Sequence, residues 1–299
     1  MLIALRVIDR RIPPHHLFSL QWLSSKPPDT SFSRSFENLA ALFELTSESD
    51  SEFNTATNES MIVEMTGLIV PKLSDRDDPR AREIWNRSLS FLAESRKKFD
   101  NRQPIEQIVK NNLRRTKTEY DLFETRASIF GKPAPALKSK VVVHGDTSTS
   151  SGVTLRDFHG KVVLLEFWNV HCRPCIAGFP HLTKLEEKYG ERGLIILGVT
   201  SFRSLKWNES TDSITQDDTA TVEDESKAMV NFAKQKTATH RLLLVEQDKI
   251  EKLYKAFGVE GNPVAFLIDR RGNVRKSALG SDQIQSKQFE DMIEKLLDK

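Results

Sequence analysis

Cysteine is nearly absent from this chain: Cys172 and Cys175 are the only two in 299 residues. A disulfide-stapled secreted scaffold needs more of them, and so does a four-cysteine zinc site. Whatever these two do, they do as one pair. No uncharged apolar run approaches the roughly 18 residues that span a bilayer, so no membrane span is expected in the chain as given. Glycine and proline are sparse, at 13 and 12, which excludes collagen-like and Pro/Gly low-complexity classes. Neither sign of charge dominates, with 44 basic and 42 acidic residues and a formal net charge of +2. That balance gives no electrostatic reason to expect nucleic acid or an anionic membrane as the main partner. An export signal is also missing from view. Met1–Leu5 is apolar, but Arg6, Asp9, Arg10 and Arg11 follow at once. A secretory segment needs about 7–15 apolar residues and a small-residue cleavage site. Either the protein is not exported or Met1 is not the true start.

What remains, 38% hydrophobic and 29% charged residues, is enough for a buried core. The length suggests one large domain or two ordinary ones. Residues 1–34, with Pro13, Pro14, Pro27, Pro28 and several serines, read as a poorly ordered lead-in. Residues 35–130 read as a helical N-terminal region without an assignable role. It holds a short apolar run over 60–70 that Pro71 stops, and an Asp78-Pro79 helix start. Ile84, Trp85, Leu89 and Leu92 follow at near-helical spacing. A second helix, opened by Pro104, carries Ile105, Ile108, Val109, Leu113, Tyr120 and Phe123, and Gly131 closes it. The region's basic groups, Arg96-Lys97-Lys98 and Arg114-Arg115-Lys117, read as solvated helix faces.

After Gly131 the period changes. Strands are expected at 141–143, within 161–169, and at 194–199, 241–245, 264–269 and 274–279. Helices are expected at 180–189, 225–235, 249–257 and 282–297. Residues 145–152 read as a turn-rich connection. Residues 201–224, rich in Ser, Thr and acidic groups, read as a long surface loop. Strands alternating with helices around buried runs argue an α/β sheet over 131–299.

The chemistry sits at Cys172-Arg173-Pro174-Cys175, directly after the apolar run Val162–Trp168 and at the mouth of a helix. A cysteine there meets unpaired N–H groups and the positive end of the helix dipole, which favour the thiolate. His171 and Arg173 flank it with positive charge. Two intervening residues let the second thiol reach the first. Cys172 is therefore expected to attack a substrate disulfide, and Cys175 to resolve the mixed disulfide. Zinc would need two further ligands, and the seven histidines offer no H-x₃₋₅-H pair near the cysteines. Haem attachment would need His at 176, where Ile176 stands. No metal and no organic cofactor is expected; the redox-active group is the disulfide itself.

Several marks in one order resemble a known family. These are Gly131-Lys132-Pro133-Ala134-Pro135, then Gly160–Trp168 running into Cys172-Arg173-Pro174-Cys175. Pro180, Gly261-Asn262-Pro263, and Phe266–Asp269 with Arg271-Gly272-Asn273 follow. Residues 131–299 resemble the TlpA/ResA-like thiol-disulfide oxidoreductases of the thioredoxin fold, a central mixed sheet flanked by helices. The resemblance implies a cis-proline at Pro263 facing the disulfide, with the backbone of Asn262 pairing with bound substrate. It implies a tryptophan beside the disulfide at Trp168, a kinking proline at Pro180, and a buried acid at Glu166, a candidate proton relay to Cys175. His171, Arg173, Pro174, Trp168 and Asn262 are then residues that tune the thiols or touch substrate. It also implies protein disulfides as substrates, a thiol protein as electron donor, and work outside the cytoplasm.

The chain departs from the pattern at three places. His171 stands where a tryptophan is usual, Gly178 where ResA-type members carry a glutamate, and Asn262 where a β-branched residue is commoner. Two other functions remain: a thiol peroxidase, and a redox-sensitive or copper-binding interaction module without turnover. The peroxidase needs a Thr three residues before its cysteine, where Asn169 precedes Cys172.

Overall fold

The computed structural model describes residues 79–98, 100–101, 105–144 and 147–299. The lead-in, the 60–70 run, Asp78 and Pro104 lie outside them. Two compact units are distinguished; among the described residues, 82–117 fall in one and 79–81 together with 118–299 in the other. The sheet-bearing unit thus reaches back past residue 131 to Thr118.

Helix α1 spans Pro79–Lys98 and α2 spans Ile105–Ile129. In the 82–117 unit the buried positions are Trp85, Ser88, Leu92 and Ser95 on α1, and Glu106, Val109 and Thr116 on α2. The α1 set recurs every three or four residues and the α2 set at steps of three and seven, so each helix turns one stripe inward. Arg96, Lys97, Arg114, Arg115 and Lys117 are exposed, as a solvated basic face requires.

The other unit is built on β1 (Val141–His144), β2 (Thr147–Thr149), β3 (Val162–Phe167), α3 (Arg173–Tyr189) and β4 (Leu194–Ser201). There follow β5 (Leu205–Asn208), β6 (Ser213–Gln216), α4 (Val222–Gln235), β7 (Arg241–Val245) and α5 (Gln247–Phe257). The chain ends with β8 (Val264–Ile268), β9 (Val274–Leu279), α6 (Ser281–Ile284) and α7 (Lys287–Leu297). Seven strands form one mixed sheet in the order β2-β1-β7-β4-β3-β8-β9. β3, β4 and β7 are parallel, and β8 runs antiparallel to β3.

The apolar run of β3 has a physical cause: helices cover both sheet faces, so both sets of alternating side chains are buried. Val163, Leu165 and Phe167 pack in one cluster with Ile250, Leu253 and Phe257 of α5. Val162, Leu164 and Trp168 join the other, with Phe179 and Leu182 of α3, Met229 and Phe232 of α4, and Phe289 and Ile293 of α7. Full burial of each such side chain contributes about 1.5–3 kcal/mol.

Several expected elements differ. Helix α3 begins at Arg173 rather than at 180 and carries Pro180 inside it; Pro180 removes one backbone bond but does not end a helix held by Phe179, Leu182 and Leu185. The region 201–224 is not an unstructured loop but holds the β5–β6 hairpin. Buried Glu225 anchors that hairpin by accepting the backbone N–H groups of Arg203 (2.9 Å) and Leu205 (3.2 Å). Helix α4 starts three residues early because Thr221 and Asp224 form a capping box. The turn-rich connection includes β2, and the last helix is two, re-started by the Ser286 hydroxyl capping Phe289 N. The hairpin at Arg271-Gly272-Asn273 is present, with Gly272 at φ 83°. Asp269 accepts the N–H groups of Arg271 and Asn273, each at 2.9 Å.

One core group is costly. His240, 1% exposed, has neither ring nitrogen hydrogen-bonded and packs edge-on to Phe179 at 5.0 Å. Burial pushes its pKa from 6.5 down to about 4, with His144 adding to the effect. Because the folded value is depressed, the neutral form is favoured in the fold, and stability is lost as pH falls from 6.5 through 4. His240→Phe removes that loss. We expect the variant to gain on the order of 3 kcal/mol over the wild type between pH 7 and pH 4, read by urea unfolding of the oxidised protein.

Candidate active site

The geometry begins with β3. The chain leaves the sheet at Trp168, turns through 169–172 and enters α3. The turn is made by Asn169: its carbonyl accepts Cys172 N–H (3.0 Å) and its side-chain Oδ1 accepts His171 N–H (2.9 Å), the habit of an Asx turn. Cys172 is the N-cap of α3, and its Sγ accepts the N–H of Cys175 at 3.3 Å. Arg173 and Pro174 fill the first two helical positions, where the missing proline N–H leaves no intrahelical bond unmade. Cys172 and Cys175 are joined as a disulfide, with Cα atoms 5.3 Å apart.

The two sulfurs are not equivalent. Cys172 is 9% exposed and Cys175 is fully buried. An incoming group can reach only the first. His171, Arg173 and Pro174 are exposed around it. Trp168 is fully buried, in one cluster with the two cysteines. Its indole stacks on Phe232 (centroids 5.8 Å) and meets Phe179 edge-on (5.2 Å). Space for it comes from Gly198 of β4, where a Cβ would lie 2.9 Å from the indole Nε1.

Glu166 lies between Leu164 and Trp168 on the same alternating face of β3, the face covered by α3. Its cross-strand partners are Gly198 and Ala265, the two smallest residue types. It is 2% exposed, its Oε2 has no hydrogen-bond partner, and burial raises its pKa from 4.5 to about 8.

The peptide bond Asn262–Pro263 is cis. A two-residue bridge ties this turn to the cysteine loop: Gly280 N–H donates to the Pro263 carbonyl (2.8 Å), and Ser281 Oγ donates to the Pro174 carbonyl (3.0 Å). The sequence gives no signal for Ser281 as a support, since a serine after a strand is ordinary. Asn169 carries a local signal, because Asn favours turns, but its longer-range partners do not.

Among the described residues no group of three or more His, Cys, Asp and Glu side chains is gathered for a metal. No described helix is long and apolar enough to cross a membrane. Two clefts of about 470 and 460 Å³ are present, lined by Arg270, Arg271 and Lys295 in one case and by Lys206, Trp207 and Asp224 in the other. Neither includes a cysteine. Of the reactive pair, only Cys172 has any exposed surface.

A dithiol pair at a helix N-terminus, one sulfur reachable and one buried, on a mixed sheet of this order, defines a thiol-disulfide oxidoreductase of the thioredoxin fold. Comparison with known proteins agrees. Residues 130–277 match the AhpC/TSA family. A thiol-disulfide oxidoreductase ResA from Bacillus thuringiensis subsp. konkukian is 29% identical over 144 residues, 48% of this chain and 68% of that protein. The ResA of Halalkalibacterium halodurans is 41% identical over 49 residues, 16% of this chain and 28% of its own. A crystal structure titled as a putative thiol:disulfide interchange protein DsbE from Chlorobium tepidum aligns at 25% identity, 56% of this chain and 97% of its own, with a TM-score of 0.41. Through this part of its length the chain is similar to the ResA thiol-disulfide oxidoreductases and to the AhpC/TSA family.

Proposed function

We propose that the protein reduces protein disulfides through a cycle of Cys172 and Cys175, and that it works outside the cytoplasm, as the family resemblance suggests. The observation that carries the chemistry is the asymmetry of the pair: Cys172 at the helix cap and 9% exposed, Cys175 fully buried. In the reduced protein the Cys172 thiolate is stabilised by the Cys175 N–H and the helix dipole. It attacks one sulfur of the substrate disulfide. That S–S bond breaks, the other substrate sulfur leaves as thiolate, and a mixed disulfide forms. Cys175 then gives up its proton and attacks Cys172 Sγ, the second substrate sulfur leaves, and the protein disulfide closes. Two electrons pass to the substrate. A thiol protein returns them by the reverse exchange.

Further roles belong to the same reading. Glu166, in its ionised form, takes the Cys175 proton. His171, Arg173 and Pro174 form the exposed rim, and the Asn262–Pro263 turn receives the substrate backbone. No organic cofactor or metal takes part. The exposed rim of His171, Arg173 and Pro174 around Cys172 supports a protein rather than a small molecule as substrate. Asn169 in place of the peroxide-activating threonine speaks against a peroxidase.

The test is the reduction potential. The protein is equilibrated in graded thiol/disulfide buffers and followed by tryptophan fluorescence, with Cys175→Ser as control. A single two-electron transition near the thioredoxin value of about −270 mV is expected; a value near about −120 mV would make the protein an oxidant. Failure to form the intramolecular disulfide would replace the enzyme reading with the interaction module.

A further inference from the structure

The turn that carries Cys172 and the turn that carries Pro263 share a second connection, made by side-chain amides, one phenol and two backbone carbonyls. Asn262 presents its carboxamide between four groups. With the oxygen facing the donors, Asn262 Oδ1 accepts from Asn169 Nδ2 (2.9 Å) and from the Tyr254 hydroxyl (3.2 Å). Its Nδ2 donates to the carbonyls of Phe167 and Gly261, each at 3.2 Å. This orientation pairs every donor with an acceptor, which the reverse does not. Asn169 spends its other amide atom on His171 N–H at 2.9 Å. Tyr254 stands on α5, on the opposite side of the sheet from the cysteines, with its ring edge-on to Phe167 at 5.5 Å.

We propose that Asn169, Asn262 and Tyr254 form a latch that fixes the Cys172 loop against the 261–263 turn, with Asn169 and Tyr254 as positioning residues for protein substrates. The inference rests on the oxidoreductase reading and extends it to substrate class. A protein disulfide arrives with its own backbone attached, so sulfur and backbone must meet the two turns at once. Their spacing in the substrate is set by covalent geometry. Holding the two turns at one separation before binding removes an ordering cost from the encounter. A small disulfide brings only its sulfur and needs only Cys172. The latch is therefore a device for distinguishing polypeptide disulfides from small ones.

Two neutral variants test it. Asn169→Ser keeps a hydroxyl able to accept His171 N–H but is too short to reach Asn262. Tyr254→Phe keeps the ring and removes only the hydroxyl. Steady-state kinetics are measured on a protein disulfide such as insulin and on a small one such as oxidised glutathione, with urea midpoints confirming that each variant folds. For the protein disulfide we expect KM to rise about tenfold in Asn169→Ser and severalfold in Tyr254→Phe, with kcat little changed. Turnover of the small disulfide should stay within about twofold. The double variant should lose no more than the worse single one, because the residues act as one unit. Equal losses on both substrates, no loss on either, or additive losses would overturn the latch. Wild type reducing neither substrate would instead overturn the oxidoreductase reading beneath it.

Discussion

Cys175→Ser is expected to accumulate a covalent complex with its substrate, while Cys172→Ser forms none and falls to the uncatalysed background. The difference follows from burial. Only Cys172 has surface to offer, and Cys175 has none. With Cys175 replaced, attack by Cys172 still breaks the substrate disulfide and leaves one substrate sulfur attached. No second thiol stands within the helix turn to release it, and the mixed disulfide waits for an external thiol. With Cys172 replaced, the remaining thiol is enclosed by the cluster of Trp168 and Phe179, where substrate cannot enter. Non-reducing electrophoresis of protein trapped with an oxidised substrate, followed by mass spectrometry of the adduct, separates the two cases. Adduct on Cys175 in the Cys172→Ser protein would reverse the assigned order.

Glu166→Gln is expected to change both the rate and the pH dependence of stability. In the folded chain the carboxyl releases its proton at about 8 rather than 4.5, because burial penalises the charge. The sign follows from proton counts. Between those values the folded form holds a proton that the unfolded form has lost, so stability falls as pH rises from 4.5 to 8 and is level above. The interval corresponds to on the order of 5 kcal/mol. Glutamine cannot ionise and removes the slope. Urea unfolding of the oxidised proteins at pH 5 and pH 9 should therefore show the variant gaining on the wild type at the alkaline end. Curves that stay parallel would mean Glu166 is not held neutral. In the proposed relay it is the ionised form of Glu166, populated as pH approaches 8, that accepts the Cys175 proton and so governs the resolving step. Its loss should slow that step by about a hundredfold, the lower end of acid–base contributions, measured by single-turnover release of substrate.

Much of the sheet was legible because its residues act locally. The β3 run is apolar on both faces and so reads as buried. Gly272 marks a turn by its need for positive φ. The two cysteines have no competitors elsewhere in the chain. The misses have a different character. β5 and β6 are four residues each and mostly polar, and what makes them a hairpin is Glu225, whose carboxylate holds the backbone of Arg203 and Leu205 from the next helix. The start of α3 was obscured by Gly178 and Pro180, which break helices in isolation but not when Phe179 and Leu182 are buried against a sheet. Within the site, the cysteines and the Asn262–Pro263 turn could be read along the chain. Asn169, Tyr254 and Ser281 could not, because their partners lie 93, 8 and 107 residues away and no short-range pattern records them.

The segment after α2 has a consequence for handling the protein. Strand β9 is the last in the sheet, and residues 130–134 run along its outer side. Gly131 N–H donates to the Val274 carbonyl (2.8 Å), Val274 N–H to the Lys132 carbonyl (2.9 Å), and Ala134 N–H to the Gly272 carbonyl (2.9 Å). Just before them, buried Arg126 donates to the Gly258 carbonyl at 2.6 Å. These few residues act as a selvage, closing backbone groups that would otherwise recruit a strand from a second molecule. A fragment trimmed to residue 135 would keep both cysteines and most of the sheet yet leave that margin raw. Its colloidal behaviour, not its chemistry, would suffer first.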